Sequence, residues 1–227
     1  MILRFLIRLC LFGFMMGGLY AQDNTLPQND DSKSNLFLYD RSRQRFGAVS
    51  VSYQLPIPTG TNFIGQGFSG DQGYSANLRL FPYKQFFIAF SYGMSEFNVK
   101  DRSVVGNYNS ANAEERYFAL GYEFLPLKKF RFGVNASVGG RITLTNRVTN
   151  SSGNKDTGRL IVYGLNLDYE LSQVISVFCQ FAFKRMKTDI IVPGALSNVF
   201  EEGTYNTINI GLRFSFGRDD IFSRYFK

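Results

Sequence analysis

The 227-residue sequence contains no histidine and no tryptophan, and only two cysteines and six prolines. Without histidine there is no Ser–His or Cys–His nucleophile, no His-ligated metal site and no imidazole general base. Composition therefore argues against an enzyme, and no cofactor is expected. Cys10 falls in a segment expected to be removed, which leaves Cys179 alone and excludes an intrachain disulfide framework. Charged residues amount to 19%, below the roughly 25% usual for soluble domains. The net charge is +7, yet no Lys/Arg-rich run accompanies it, so nucleic acid is not an expected partner. No apolar stretch after the N-terminus approaches the length of about 18 residues that a membrane-spanning helix needs.

What the chain does have is 44% hydrophobic residues, with 24 Phe, 13 Tyr and 22 Gly. The N-terminus carries Arg4 and Arg8, an uncharged and mostly apolar stretch over residues 9–19, the small Ala21, and then polar Gln22, Asp23 and Asn24. That layout predicts a signal peptide over 1–21, cleaved after Ala21, and an exported protein. Residues 22–43 are polar and read as an exposed periplasmic leader. From 44 to 217 the sequence alternates with a period of two in eight segments. Bulky apolar residues occupy one face, for example Val49, Val51 and Tyr53; Phe118, Leu120 and Tyr122; Ile161, Tyr163 and Leu165; and Ile208, Ile210 and Leu212. The other face is Gly, Ser, Ala and Asn with scattered charges.

Short connections near 81–85, 125–129 and 171–173 alternate with long polar ones near 56–73, 97–114, 146–158 and 187–203, and all six prolines fall outside strand interiors. Each segment is long enough for the roughly 9–11 residues that cross a bilayer as a tilted strand. The expected fold is all-β: an eight-stranded antiparallel up-and-down transmembrane β-barrel, apolar side to lipid, short turns in the periplasm and long loops outside. A soluble barrel would instead need a charged exterior. Residues 218–227 form a periplasmic tail. Either Phe216 closes the barrel, or Phe226 stands in as the terminal aromatic.

The signal peptide, the eight alternating segments and the aromatic last strand over 208–216 resemble the small outer-membrane β-barrel proteins of Gram-negative bacteria, in the manner of the OmpA and OmpX barrels. The resemblance covers about residues 44–217. It implies a monomer in the cell outer membrane, surrounded by outer-membrane lipids. A barrel enzyme acting on outer-membrane lipid or surface peptides would need the histidine this chain lacks, so the expected role is non-enzymatic, structural or surface-binding, and carried by the long loops toward an unknown extracellular ligand. A narrow channel or carrier for small solutes is the alternative.

Two sets of side chains are candidates for specific roles. Arg79, Glu123, Arg131, Arg141, Asp168, Glu170, Lys184 and Arg213 share the inward parity. Charges inside so narrow a barrel must pair, so an ion-pair plug is expected. Lys100, Arg116, Arg159 and Arg185 have outward parity beyond the apolar belt at the loop end. They are candidates for contact with lipopolysaccharide phosphates, which Arg grips bidentately. The acidic pairs Glu114–Glu115 and Glu201–Glu202 read as solvated rim charges, and Gly65-Gln66-Gly67-Phe68-Ser69-Gly70 as a flexible loop rather than a dinucleotide site.

Overall fold

The computed structural model describes residues 40–148, 151–188 and 197–225. The expected signal peptide, most of the leader, Phe226 and part of two long loops lie outside these residues.

Eight strands form the sheet: β1 (Gly47–Thr59), β2 (Phe68–Tyr83), β3 (Phe86–Val99), β4 (Ser110–Leu127), β5 (Phe130–Val148), β6 (Ser151–Glu170), β7 (Ile175–Thr188) and β8 (Glu202–Phe216). Each pairs antiparallel with the next, and β8 returns to β1 to close the barrel. The closing ladder runs from Gly47 opposite Phe216 to Thr59 opposite Thr204, so the last strand ends at Phe216. Gly217 follows at φ 72°, and a Cβ there would lie 2.4 Å from Phe46, so only glycine turns the chain at this point.

The period-two alternation sorts side chains as expected. Along β1, Ala48, Ser50, Ser52 and Gln54 are buried, whereas Val49, Val51 and Tyr53 are 43%, 53% and 42% exposed. The same split around the barrel leaves Tyr74, Ile88, Phe118, Leu165, Phe181 and Leu212 on the outside. A continuous apolar exterior of this extent is unfavourable in water and suits lipid, and barrel closure gives every ladder group a partner, as a bilayer demands.

One irregularity resets the alternation. Phe118 pairs with Gly139 and Ala119 with Ser137, so Val138 is an extra residue in β5. Against β6 the same stretch, from Ala136 opposite Tyr163 to Arg141 opposite Arg159, spends five residue steps against four. This bulge inverts the facing of the rest of β5: Ile142 and Leu144 are buried and Arg141 is exposed. Gly140 is needed at the bend, since a Cβ there would approach the Leu160 carbonyl to 2.5 Å.

At the turn end, β2 and β3 meet through Lys84 (φ 49°) and Gln85. The chain after β8 does not hang free. Asp220 is fully buried, accepts from the Lys84 N–H at 3.0 Å, and caps helix α4 (Ile221–Tyr225) through the Ser223 N–H at 2.7 Å. At the loop end, helix α1 (Phe63–Gly67) lies over the mouth, with Phe63 and Ile64 buried in the core cluster. Asn62 caps α1 by accepting from the Ile64 and Gly65 N–H groups, and its amide donates to Thr204 Oγ1 at 2.7 Å. Short helices α2 (Arg102–Val105) and α3 (Ser197–Phe200) flank it, and the Phe63 ring stacks on Phe200 at 5.4 Å. The glycine-rich segment is therefore a packed element. A Cβ on Gly65 would strike the Gly60 carbonyl at 2.2 Å, and one on Gly67 would strike Val105 at 2.1 Å.

Candidate functional site

Three layers fill the interior. The layer nearest the turns is ionic. Glu123 accepts from Arg45 Nη2 at 2.5 Å, Arg79 Nη1 at 3.0 Å and Arg131 Nη1 at 3.4 Å. Arg131 also pairs with Glu170, which accepts from Arg43 at 2.9 Å, and Arg213 pairs with Asp168. Five guanidiniums thus surround three carboxylates. Aromatic faces take up part of the excess, with Arg45 over Phe81 at 4.9 Å, Arg79 over Phe87 at 4.5 Å and Arg213 over Phe178 at 4.5 Å.

The middle layer centres on Glu115, which has no exposed surface. It accepts from Lys184 Nζ at 2.5 Å, from the Tyr205 hydroxyl at 2.7 Å and from Ser95 Oγ at 3.2 Å, while Gln54 bridges Ser95 and Lys184. The gap bounded by Gln54, Ser91, Glu115, Gln180 and Lys184 has a volume of about 10 Å³, at the lower limit for a single water. Above it, Phe68, Phe97, Ile142, Leu144, Leu160 and Met186 form an apolar stopper under Phe63 and Ile64.

Of the residues expected inside, the structure brings Arg79, Glu123, Arg131 and Glu170 into one network, places Arg213 with Asp168, and sets Lys184 apart with Glu115. Arg141 is a correction: the Val138 bulge turns it to the exterior. Glu115 is a second, because the inward parity of Ala111, Ala113 and Tyr117 carries it into the barrel while Glu114 stays outside. Arg43 and Arg45 belong to the interior although period-two counting back from β1 would turn Arg45 outward. The chain instead folds over the mouth before Phe46, whose N–H donates to the Phe216 carbonyl.

The outer wall carries a second arrangement. Arg116 on β4 is directly opposite Arg141 on β5, Arg141 is opposite Arg159 on β6, and Arg159 is opposite Lys187 on β7. Apart from Arg185 on β7, the outward residues below this row are apolar (Phe118, Val138, Ile161, Phe183), and those above it are polar (Glu114, Thr143, Thr157). The row therefore marks the upper edge of the belt. Arg116 pairs with Glu114, Lys187 with Glu201 at 3.0 Å, and Arg185, two residues below Lys187, with Glu202 at 2.5 Å. The guanidiniums of Arg141 and Arg159 have no ion pair or hydrogen bond among the described residues. Lys100 is not part of the row: the register sets Tyr92 beside Arg116, and Lys100 stands eight residues further along the chain, beyond the end of β3. A depression of about 560 Å³ opens beside the row, lined by Ser137, Val138, Gly139, Arg159, Arg185 and Glu202 among others. Among the described residues no group of three Cys, Asp or Glu side chains is placed to hold a metal ion.

No family model and no curated protein matches the chain. Solved structures do. The Neisserial surface protein A, NspA, superposes with a TM-score of 0.50 over 75% of this chain and 97% of its own, at 9% identity. The attachment invasion locus protein Ail of Yersinia pestis gives 0.45 at 10% identity, covering 76% and 100%. The N-terminal β-barrel domain of Pseudomonas aeruginosa OprF gives 0.46 at 16% identity, covering 76% and 100%. At these identities the likeness is one of fold: that of the small eight-stranded outer-membrane barrels.

Proposed function

We propose that this outer-membrane barrel is a closed, non-conducting protein whose role is structural or surface-binding and is exercised at its loop-bearing end. The filled interior carries this reading. Ionic, polar and apolar layers follow one another from turn end to loop end, α1 covers the outer mouth, and the gap beside Glu115 is about 10 Å³. A narrow channel or carrier would need at least one continuous aqueous path, and buried, paired charges disfavour opening one because each would lose its partner. A non-enzymatic role is supported by the lack of histidine and by the engagement of every inward acid of the ionic and middle layers with a cation. A poised general base would need an uncommitted carboxylate.

Reconstitution into planar bilayers tests the reading. The expected record is flat at all applied voltages. Reproducible single-channel steps from the purified barrel would establish the channel alternative instead, and turnover in lipase, deacylase or peptidase assays would overturn the non-enzymatic part.

A further inference from the structure

We infer that the outward row Arg116–Arg141–Arg159–Lys187 is a binding site for the phosphate groups of an outer-leaflet lipid. The inference rests on the reading of the loop end as the outer-membrane surface, and goes beyond it by naming a ligand chemistry and its residues.

Like charges directly opposite one another across adjacent strands repel, with Cβ atoms roughly 4.5–5.5 Å apart. The row sets such pairs side by side three times over, Arg116 with Arg141, Arg141 with Arg159, and Arg159 with Lys187. Acidic neighbours neutralise its ends: Glu114 binds Arg116, Glu201 binds Lys187, and Glu202 is held by Arg185 through contacts of 3.0, 2.5 and 2.6 Å. The two central guanidiniums are left without an acid. That leaves two adjacent positive charges on a wall whose next outward residues are Phe118, Val138 and Ile161.

A ligand that satisfies both halves of this surface is anionic at its head and apolar below it. Guanidinium forks match phosphate oxygens bidentately, so Arg141 and Arg159 together suit a diphosphorylated head better than a single carboxylate. The depression over Ser137, Val138 and Gly139 adjoins Arg159 and gives the head a place against the wall. The bulge is what creates the site. Without the extra residue, Arg141 would point into the barrel, and the row would be broken in its middle.

The test uses the full barrel, folded in neutral detergent, with diphosphorylated lipid A and its dephosphorylated form as probes, bound lipid being read by native mass spectrometry. The wild type is expected to retain the phosphorylated probe selectively. The double variant Arg141→Gln/Arg159→Gln is expected to bind it about 30-fold more weakly, taking each basic residue beside anionic lipid as about fivefold. Gly139→Glu offers an independent variant, because a Cβ there meets no atom within 4 Å, and its carboxylate would occupy the guanidiniums and release the lipid. Heat-modifiable gel mobility confirms that both variants are folded. Equal retention of the two probes by the wild type, or undiminished retention by the double variant, would overturn the inference. Displacement by millimolar inorganic phosphate would also overturn it, by assigning the row to free phosphate. Conductance is measured on the same preparation: channel activity with selective lipid retention would remove the proposed function alone, whereas a silent barrel that retains neither probe would remove this inference alone.

Discussion

At the scale of single residues, the interior acids are the points of greatest leverage. Glu123 contacts three guanidiniums, those of Arg45, Arg79 and Arg131. Glu123→Ala leaves those cations buried without it, a loss of about 3–5 kcal/mol for a broken buried pair, expected as a lower urea midpoint in detergent. Lys184→Met strands Glu115, whose remaining donors are the Tyr205 and Ser95 hydroxyls. It is expected to destabilise by a similar amount, and Glu115→Gln combined with Lys184→Met to recover much of the loss, because the paired removal leaves no bare charge. An additive double variant would show that the two groups do not act as a pair. Arg79, Glu123, Arg131, Asp168 and Arg213 were legible from parity alone, as period two needs only the neighbouring apolar residues to set it. Glu115 carried the same signal, but beside Glu114 the pair resembles a solvated acidic rim. Arg45 carried no such signal, because it reaches the interior through a fold of the chain over the mouth.

At the scale of elements, the bulge in β5 is the feature that pattern reading misses. Val138, Gly139 and Gly140 interrupt the alternation with small residues, so neither parity is contradicted by the sequence until Ile142 and Leu144 are seen buried. The two glycines are expected to respond differently to the same change. Gly139→Ala adds a methyl into open space and is expected to stay within about 0.5 kcal/mol of the wild type. Gly140→Ala drives a methyl to 2.5 Å from the Leu160 carbonyl and 3.1 Å from Tyr117, and is expected to cost about 1–3 kcal/mol, as overpacking does. Urea titrations of both variants check the contrast. The long connections were legible as polar segments, but their internal order was not. Much of the stretch expected as loop over 146–158 is strand, and α1 depends on the Asn62 cap, on the Phe63–Phe200 stack and on a core cluster that includes Phe97 and Tyr205 from other strands. Local sequence does not report such distant partners.

At the scale of the whole molecule, eight strands return the chain to the side on which it began, and the turns at 84–85 and 128–129 lie at the end where β1 starts and β8 finishes. Trypsin added to intact cells is therefore expected to cut at exposed loop-end sites such as Lys100 and Arg102, and to spare Lys84 and Lys128. Cleavage at either of the latter would invert the orientation. The overall architecture was readable from sequence because a transmembrane barrel repeats one rule eight times, so that a single local exception in β5 does not obscure it.

The seam between β1 and β8 is the one joint of the barrel made by strands distant in sequence; every other neighbouring pair is a hairpin. Asp220 crosses beneath it, reaching from the chain after β8 past the start of β1 to the backbone of Lys84, between β2 and β3. Under a mechanical load applied through the termini, this contact and the seam bear the force before any hairpin does. Pulled in a force spectrometer, the wild type is expected to show an early small rupture followed by stepwise extraction of hairpins. Asp220→Ala is expected to erase the first event and leave the later ones in place, making the tail a clasp whose strength is read in piconewtons rather than in the free energy of the fold.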